Sequence, residues 1–425
     1  MRYLLATSIA LLLLGAPWVA DHYSPQTPGV IGSIMSAFDR VGDQIASIIM
    51  VGRAKTVDDL RSRYDVDRRR PRTQVRVLLV PGHEPDFGGT EFGVVKERDV
   101  VVSIADEISA LLSKNPRYQV FVTRDTVSWK PEFQEYFKNN WEEIIAWKDA
   151  HKSETIELME IGKFELSVPP VEHVTAPNNV AIRLYGINKW VQDNDIDIVL
   201  HLHLNDYPRR RISEPGSYSG FSIYVPEKQY INSTTTRALA STIFGRLSKY
   251  SPISDFAPES TGIVEDQELI AIGPYNTVGA ASMLIEYGYI YEPHFMNAEI
   301  RPLAIRDIAY QTYIGMSDFF DPESAVNYDR FYDTVALPHT WKNEVAGQST
   351  EGIDVFALQT ALMLDGVYPP VPMSKNDCPR TGKLGVCTKK SLDLFQKKHG
   401  ITDEKDRVGS KTIEVLNRTF GVEVI

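Results

Sequence analysis

Apolar and polar positions change their rhythm several times along the chain. The first stretch is a predominantly apolar run from Tyr3 to Ala20 behind Arg2, with the charged start and leucine-rich centre of an export signal. At about 18 residues it also approaches the length of a membrane span. Trp18-Val19-Ala20 before Asp21 lacks the small-x-small form of a clear cleavage site, so a cleaved signal and a retained anchor both stand. Gly15 and Pro17 argue against a buried helix there. Ile31, Ile34, Phe38, Val41, Ile45 and Ile48 then follow the alternating three-four spacing of an amphipathic helix. It is too short for a coiled coil, and it packs on the body, lies at a membrane surface or makes a dimer contact. From Arg61 the segment RSRYDVDRRRPRTQ is charged, nearly devoid of large apolar residues and broken by Pro71, which predicts a linker. Residues 1–20 are thus expected as signal or anchor, and 21–73 as amphipathic helix and charged linker.

At Val75 the pattern becomes that of a folded body. Val75 to Val80 is a β-rich run closed by Pro81-Gly82, helical spacing follows from about Glu97 to Ser113, and YQVFVTR ends a second strand at Arg124. A helix is predicted near Val180 to Gln192 and a central strand, IDIVLHLHLN, from Ile196 to Asn205. GFSIYV from Gly220, a helix from about Thr234 to Ser248, the strand ASMLIEYGYI from Ala281 and a helix near Ala298 to Phe319 continue the alternation. The fold class is α/β, a mostly parallel twisted sheet flanked by helices over 74–320, with an insertion at about 126–179. Ligands in such sheets lie beyond the carboxyl ends of the strands. A proline-rich, polar connection over 321–350 leads to three short apolar clusters: Val355, Leu358, Leu362 and Leu364; Leu392, Leu394 and Phe395; Ile413, Val415 and Leu416. They predict a small C-terminal three-helix domain over 351–425.

Composition narrows the chemistry. A chain of 425 residues that is 43% apolar and 24% charged can bury more than one core and is neither disordered nor fibrous. The net charge of −11, without a basic stripe, argues against a nucleic-acid partner. Two cysteines exclude a thiolate zinc cluster, so a metal would have to sit among the nine histidines and the carboxylates.

Those residues collect at strand ends. The first strand runs into Pro81-Gly82-His83, and Glu97 opens the next helix. On the central strand His201 and His203 share one face, with Asn205 following, and the late strand carries Leu284-Ile285-Glu286-Tyr287-Gly288. Two imidazoles and one carboxylate from three segments make a catalytic zinc site with a position left for water, and a further carboxylate can take that water's proton. This is the chemistry of metal-assisted amide hydrolysis. Taken singly, the same residues also read as hydrogen-bonded polar groups at strand ends.

The ordered series is more specific. PGH after a strand, KE at the next helix start, Thr123-Arg124, RLYGIN from Arg183, HLHLN from His201 and LIEYGY from Leu284 together resemble the zinc-dependent N-acetylmuramoyl-L-alanine amidases of the AmiC-like family, from about Val75 to Phe319 with an interruption. The resemblance implies that His83, Glu97 and His203 are ligands of Zn2+ and Glu286 is the catalytic glutamate. It implies hydrolysis of the amide between N-acetylmuramic acid and the L-alanine of peptidoglycan stem peptides. The setting would be extracytoplasmic, in the periplasm or cell wall, with the chain exported or attached to the inner membrane. Arg124, Arg183, Asn188 and Asn205 match family positions too and are read as hydrogen-bonding groups. Glu91 rivals Glu97 as the carboxylate ligand, and Glu265 and Glu292 rival Glu286.

Three departures stand out. Glu84-Pro85-Asp86-Phe87 follows His83 where the family has glycine, giving a longer or differently bent loop. His201 stands where the family commonly has serine, and is an extra ligand, a hydrogen-bond donor to the ligands, or a satisfied polar neighbour. In the 126–179 insertion Pro131 starts a helix striped with Phe133, Phe137, Trp141, Ile144 and Ile145. Some relatives carry a regulatory helix there that occludes the zinc, which makes the insertion a gate on which an activator protein could act; the alternative is a surface hairpin packed on the body.

In the C-terminal segment, DVFALQTALMLDG, TKKSLDLFQKKHGI and VGSKTIEVL resemble the peptidoglycan-binding module with its LQ, FQ and GxxT signatures, here Leu358-Gln359, Phe395-Gln396 and Gly409 to Thr412. The stretch Pro369 to Pro379 departs from it. Cys378 and Cys387 lie in this module, and in an exported chain they are expected to form a disulfide. Two other readings remain: a noncatalytic peptidoglycan-binding or regulatory protein on an amidase scaffold, and a zinc peptidase cutting within the stem peptide.

Overall fold

The computed structural model describes residues 54–65, 74–173, 176–208, 210–322, 333–345 and 350–422. The export-type run, the heptad-spaced segment and much of the 321–350 connection lie outside the described residues. Among the described residues no helix is long and apolar enough to cross a membrane.

The strands are β1 (Val75–Pro81), β2 (Glu91–Phe92), β3 (Val95–Lys96), β4 (Tyr118–Val122), β5 (Ile198–Asn205), β6 (Ser222–Pro226), β7 (Ile263–Asp266) and β8 (Ala281–Tyr289). Six of them form one sheet in the order β4-β1-β5-β8-β6-β7, and β2 and β3 make a separate hairpin. β4, β1, β5 and β8 run parallel, β6 is antiparallel to β8, and β7 is parallel to β6. The expected mostly parallel α/β sheet is present. The reversal at β6 was invisible in the sequence, because a strand buried on both faces reads alike in either direction.

The helices of the body are α1 (Val57–Tyr64), α2 (Glu97–Ser113), α3 (Pro131–Glu160), α4 (Asn178–Asp193), α5 (Ser233–Tyr250), α6 (Pro293–Met296) and α7 (Arg301–Phe320). Strand alternation assigns them to two faces. Val77, Leu79, Ile198, Leu200, Leu202, Met283 and Ile285 share a core with buried residues of α2, α5 and α7. Leu78, Val80 and Val199 point the other way, onto Phe133, Phe137 and Ile144 of α3 and Ile182 and Trp190 of α4. Register pairs Val80 with His201 and His203 with Glu286, which puts both histidines and the glutamate on this second face.

The linker expected from Arg61 begins inside a helix. Thr56 and Asp59 form a capping box at the start of α1, while Leu60 and Tyr64 are buried, Tyr64 stacking on Phe320 at 4.5 Å. The charges around them have partners: Lys55 lies 2.5 Å from Asp195 and 2.8 Å from Asp197, and Arg63 lies 3.0 and 2.9 Å from the same pair. Two apolar residues in so short a helix leave almost no periodic signal.

The C-terminal helices α8 (Ile353–Leu364), α9 (Val386–Lys398) and α10 (Ser410–Phe420) enclose a second core of Leu358, Leu362, Leu392, Phe395, Leu416 and Phe420. Trp341, expected in the connection, belongs to this core at 1% exposure, its indole N–H donating to the Asp354 carbonyl at 2.9 Å. The signature glutamines are internal braces. Gln359 accepts from Gly382 N–H (2.7 Å) and donates to Thr388 Oγ1 (2.9 Å), and Gln396 donates to the carbonyls of Glu404 (2.9 Å) and Arg407 (2.8 Å).

The expected Cys378–Cys387 disulfide is formed, with Cα atoms 5.7 Å apart. The proline-rich stretch beside it, which departs from the module's pattern, and Arg380 just after it make polar contacts to the α/β body. Lys375 Nζ donates to the Ser248 carbonyl, Asn376 Nδ2 to the Ile253 carbonyl at 2.7 Å, and Arg380 pairs with Asp307. Arg380 also donates to Thr360 Oγ1 (2.9 Å) and lies 4.4 Å over the Phe356 ring. Asp307 is fully buried and accepts a further bond from Thr334 Oγ1 at 2.6 Å. Removing the cation alone would leave a buried carboxylate without its counter-charge. Arg380→Met should therefore destabilise the protein by about 3–5 kcal/mol, read as a lower denaturant midpoint; a wild-type midpoint would show that the pair carries no such weight.

Candidate metal centre

His83, Glu97 and His203 come together at the carboxyl ends of β1 and β5. Each is delivered by a different device. His83 is on the turn leaving β1, Glu97 is the first residue of α2, and His203 is on β5, facing Glu286 of β8 in register. Their donor atoms all lie within 4.8 Å of one another, and among the described residues they form the single group of three or more His, Cys, Asp or Glu with such spacing.

Glu97 is the hub. At 3% exposure, its Oε1 lies 2.9 Å from His83 Nε2 and 3.1 Å from His203 Nδ1 and accepts Leu204 N–H at 3.0 Å. Its Oε2 accepts Thr90 N–H at 2.9 Å. The two imidazoles meet edge to face, ring centroids 4.9 Å apart. Burial alone would raise the Glu97 carboxyl, but the adjacent His83 and His203 outweigh it and hold it below the usual carboxylate range. Burial lowers His203, against the pull of Glu97. A carboxylate anion and a neutral imidazole are the forms that bind a metal.

The set fits a zinc ion. His83 Nε2 is buried and makes no hydrogen bond, although Glu97 Oε1 is 2.9 Å away. Nitrogen and oxygen donors ~3–3.5 Å apart are what a tetrahedral shell with bonds of about 2.0–2.2 Å requires. Small residues leave the necessary room. A Cβ on Gly82 would meet the His203 ring at 2.3 Å, and one on Gly89, at φ +80°, would meet His83 Cδ2 at 2.9 Å.

Glu286 is partly buried, and its Oε2, shielded from solvent, has no hydrogen-bond partner. Burial first, then the charges of Glu97 and Glu259, push its carboxyl well above the usual range. Glu259, which no sequence signal marked, is fully buried and gathers Asn205 Nδ2 (2.7 Å), the Tyr224 hydroxyl (2.6 Å) and Ser254 Oγ (2.5 Å). Only the fold, by bringing β5 and β6 to the 254–259 stretch, reveals that network.

His201 lies beside the group and outside it. It is 1% exposed, its Nε2 has no partner, and burial with the nearby His203 lowers it to about 3, a neutral imidazole. The rivals are otherwise engaged: Glu91 pairs with Arg98 (2.7 Å), Glu265 with Arg237, and Glu292 accepts the N–H groups of Gly220 (2.9 Å) and Tyr289 (2.8 Å). Asn188 donates to the Ile270 carbonyl (2.8 Å), and Arg124 to the carbonyls of Pro81 (3.2 Å) and Gly82. Arg183 donates to Glu84 at 2.8 Å.

No family model matches the chain, and no curated protein does. Solved structures that resemble it include the CwlD amidase from Clostridioides difficile in complex with the GerS lipoprotein, 14% identical over 59% of this chain and 100% of that one, with a TM-score of 0.39. The N-acetylmuramyl-L-alanine amidase Ami1 from Mycobacterium smegmatis is 12% identical over 58% and 97%, TM-score 0.38. The amidase AmiC2 of Nostoc punctiforme is 16% identical over 58% and 96%, TM-score 0.35. At such identities and TM-scores the likeness carries no argument about activity, and the functional reading rests on the residues at the site.

Gly82→Ala tests the packing of the centre directly. The added methyl would overlap the His203 ring and should cost about 1–3 kcal/mol in denaturant unfolding; unchanged stability would mean that the ring has room to move aside.

Proposed function

We propose that the protein is a zinc-dependent peptidoglycan hydrolase that cleaves the amide between N-acetylmuramic acid and the L-alanine of the stem peptide. The observation that carries this reading is the convergence of His83, Glu97 and His203 with Glu286 opposite His203 on the adjacent strand. The three donors would hold the zinc, which when bound polarises the scissile carbonyl and makes a water acidic enough to attack at neutral pH. Glu286 has an unpartnered oxygen and a raised proton affinity, so it takes the attacking water's proton and returns it to the departing L-alanine amine. Arg124 and Glu97 hold the strand ends that carry this arrangement. The protein acts outside the cytoplasm, and its C-terminal three-helix domain binds peptidoglycan.

The insertion has two parts with different roles. α3 packs on α4 and the sheet, as a structural hairpin would. The chain beyond it crosses to the strands that carry Glu286. Val171 is buried with Tyr224 and Leu284, and His173 bonds Asp266 at 3.2 Å while meeting the Tyr224 ring edge-on. Leu284 shares its strand face with Glu286. On this reading the segment around Val171 is the gate, and a partner that lifted it would act as an activator.

Digestion of purified wall by the zinc-loaded protein should release free L-alanine amino ends. Glu286→Ala should slow that release by about 10²–10⁴-fold, and chelation should abolish it until zinc is restored. New amino ends elsewhere in the peptide would replace the amidase with a peptidase, and binding without any product would leave a noncatalytic wall protein. Val171→Ser, which weakens the gate by ~1.5 kcal/mol of apolar burial, should raise hydrolysis of soluble fragments by about 10-fold; an unchanged rate would remove gating by this segment.

A further inference from the structure

The loop that departs from the family pattern has a purpose visible in its anchors. His83 sits at φ +69°, a left-handed conformation that a non-glycine residue holds only when its surroundings impose it. The imposition comes from both sides. Before it, Arg124 binds the carbonyls of Pro81 and Gly82. After it, Glu84 closes a tight turn, its N–H donating to the Phe87 carbonyl at 3.1 Å, and turns its carboxylate inward to 7% exposure. There Oε1 accepts Arg183 Nε of α4 at 2.8 Å and Oε2 accepts the Trp129 indole N–H at 3.1 Å.

Arg124 and Trp129 are themselves bridge partners across the short turn that leaves β4. Trp129 leads directly into α3, and its ring meets Phe137 of that helix edge to face at 5.1 Å. One short segment therefore grips the backbone before His83 and the side chain after it, and continues into the insertion.

We infer that Glu84 is a positioning residue for the metal centre, and that the Arg183–Glu84–Trp129 clamp couples the orientation of His83 to the start of α3. The inference rests on the reading of His83 as a zinc ligand. A shift of α3 that withdraws the Trp129 N–H frees one oxygen of Glu84, relaxes the turn and lets His83 leave its strained conformation, weakening the centre without anything entering it. Coupling of this kind is reciprocal, so zinc must stabilise the first turn of α3 by the same factor by which the clamp tightens zinc.

The test is zinc affinity of the whole protein, measured by competition with a chromophoric chelator, for wild type, Glu84→Gln and Trp129→Phe. Trp129→Phe keeps the ring against Phe137 and removes only the donor, so it remains informative if Glu84→Gln folds poorly. Each variant should bind zinc roughly 10-fold more weakly, the usual scale for residues that orient a ligand. Arg380→Met, remote and destabilising, should bind zinc as wild type does. Hydrogen exchange should show zinc protecting the first turn of α3 in wild type and not in Trp129→Phe. Unchanged affinity in folded variants, or equal weakening in Arg380→Met, overturns the clamp and leaves the amidase reading intact. A wild-type protein that binds no zinc removes that reading and the clamp with it.

Discussion

The arrangement depends on one buried carboxylate, that of Glu97. An ionised group is tolerated in the interior only when every oxygen is answered, and Glu97 is answered from three directions. Leu204 N–H of β5 and Thr90 N–H ahead of β2 bond its two oxygens, and the imidazoles of His83 and His203 flank it. Its place as the first residue of α2 adds the favourable end of the helix dipole. The group that would ligate a metal is therefore also the group that fastens a helix start, a loop and a central strand to one another, so removing Glu97 itself would loosen the fold around the site.

That anchoring sorts the carboxylates. Glu97 is surrounded by donors and held below the usual range, while Glu286, one strand further along, has a bare oxygen and is pushed up by desolvation first and then by the charges of Glu97 and Glu259. Two acids whose environments drive their proton affinities apart are suited to opposite tasks, one to remain an anion and one to carry a proton. The division follows from placement: Glu97 is at a helix start with N–H groups aimed at it, and Glu286 is mid-strand on a sheet whose own N–H groups are occupied in the ladder.

How much of this could be read in advance depended on the range of the interaction. Strand alternation placed His201 and His203 on one face, and the apolar run ahead of Glu286 placed it on a strand, because those are properties of a few consecutive residues; that the two strands are neighbours came only from the fold. Whether His201 joined the ligands was not legible, since that turns on which direction two side chains on the same face lean. Glu259 was silent for a stronger reason: beyond the nearby Ser254, its partners Asn205 and Tyr224 come from two distant strands, and nothing near it in the chain differs from an ordinary surface glutamate. The loop Glu84-Pro85-Asp86-Phe87 was legible as a departure and illegible as a clamp, because Arg183 and Trp129 reach it from α4 and from beyond β4 respectively. The docking role of the stretch around Arg380 was hidden in the same way by its distance from Asp307.

The direction of the helices then fixes where the second domain stands. Phe320, at the end of α7, packs on Tyr118, the first residue of β4, so α7 ends at the amino edge of the sheet and begins at the carboxyl edge, where Glu286 lies. The C-terminal domain docks on that beginning: Ile300, Leu303 and Ala304 share an apolar cluster with Phe356, and Asp307 takes Arg380. Lys55 and Arg63, by contrast, bind Asp195 and Asp197 ahead of β5, at the opposite edge. On the proposed reading, a wall-binding module fastened to the body by a buried ion pair, instead of trailing on a free linker, would present substrate in a restricted set of orientations. The contacts that Lys375, Asn376 and Arg380 make on either side of Cys378 thus hold the C-terminal domain on the body at a fixed place, which a flexible tether would not do.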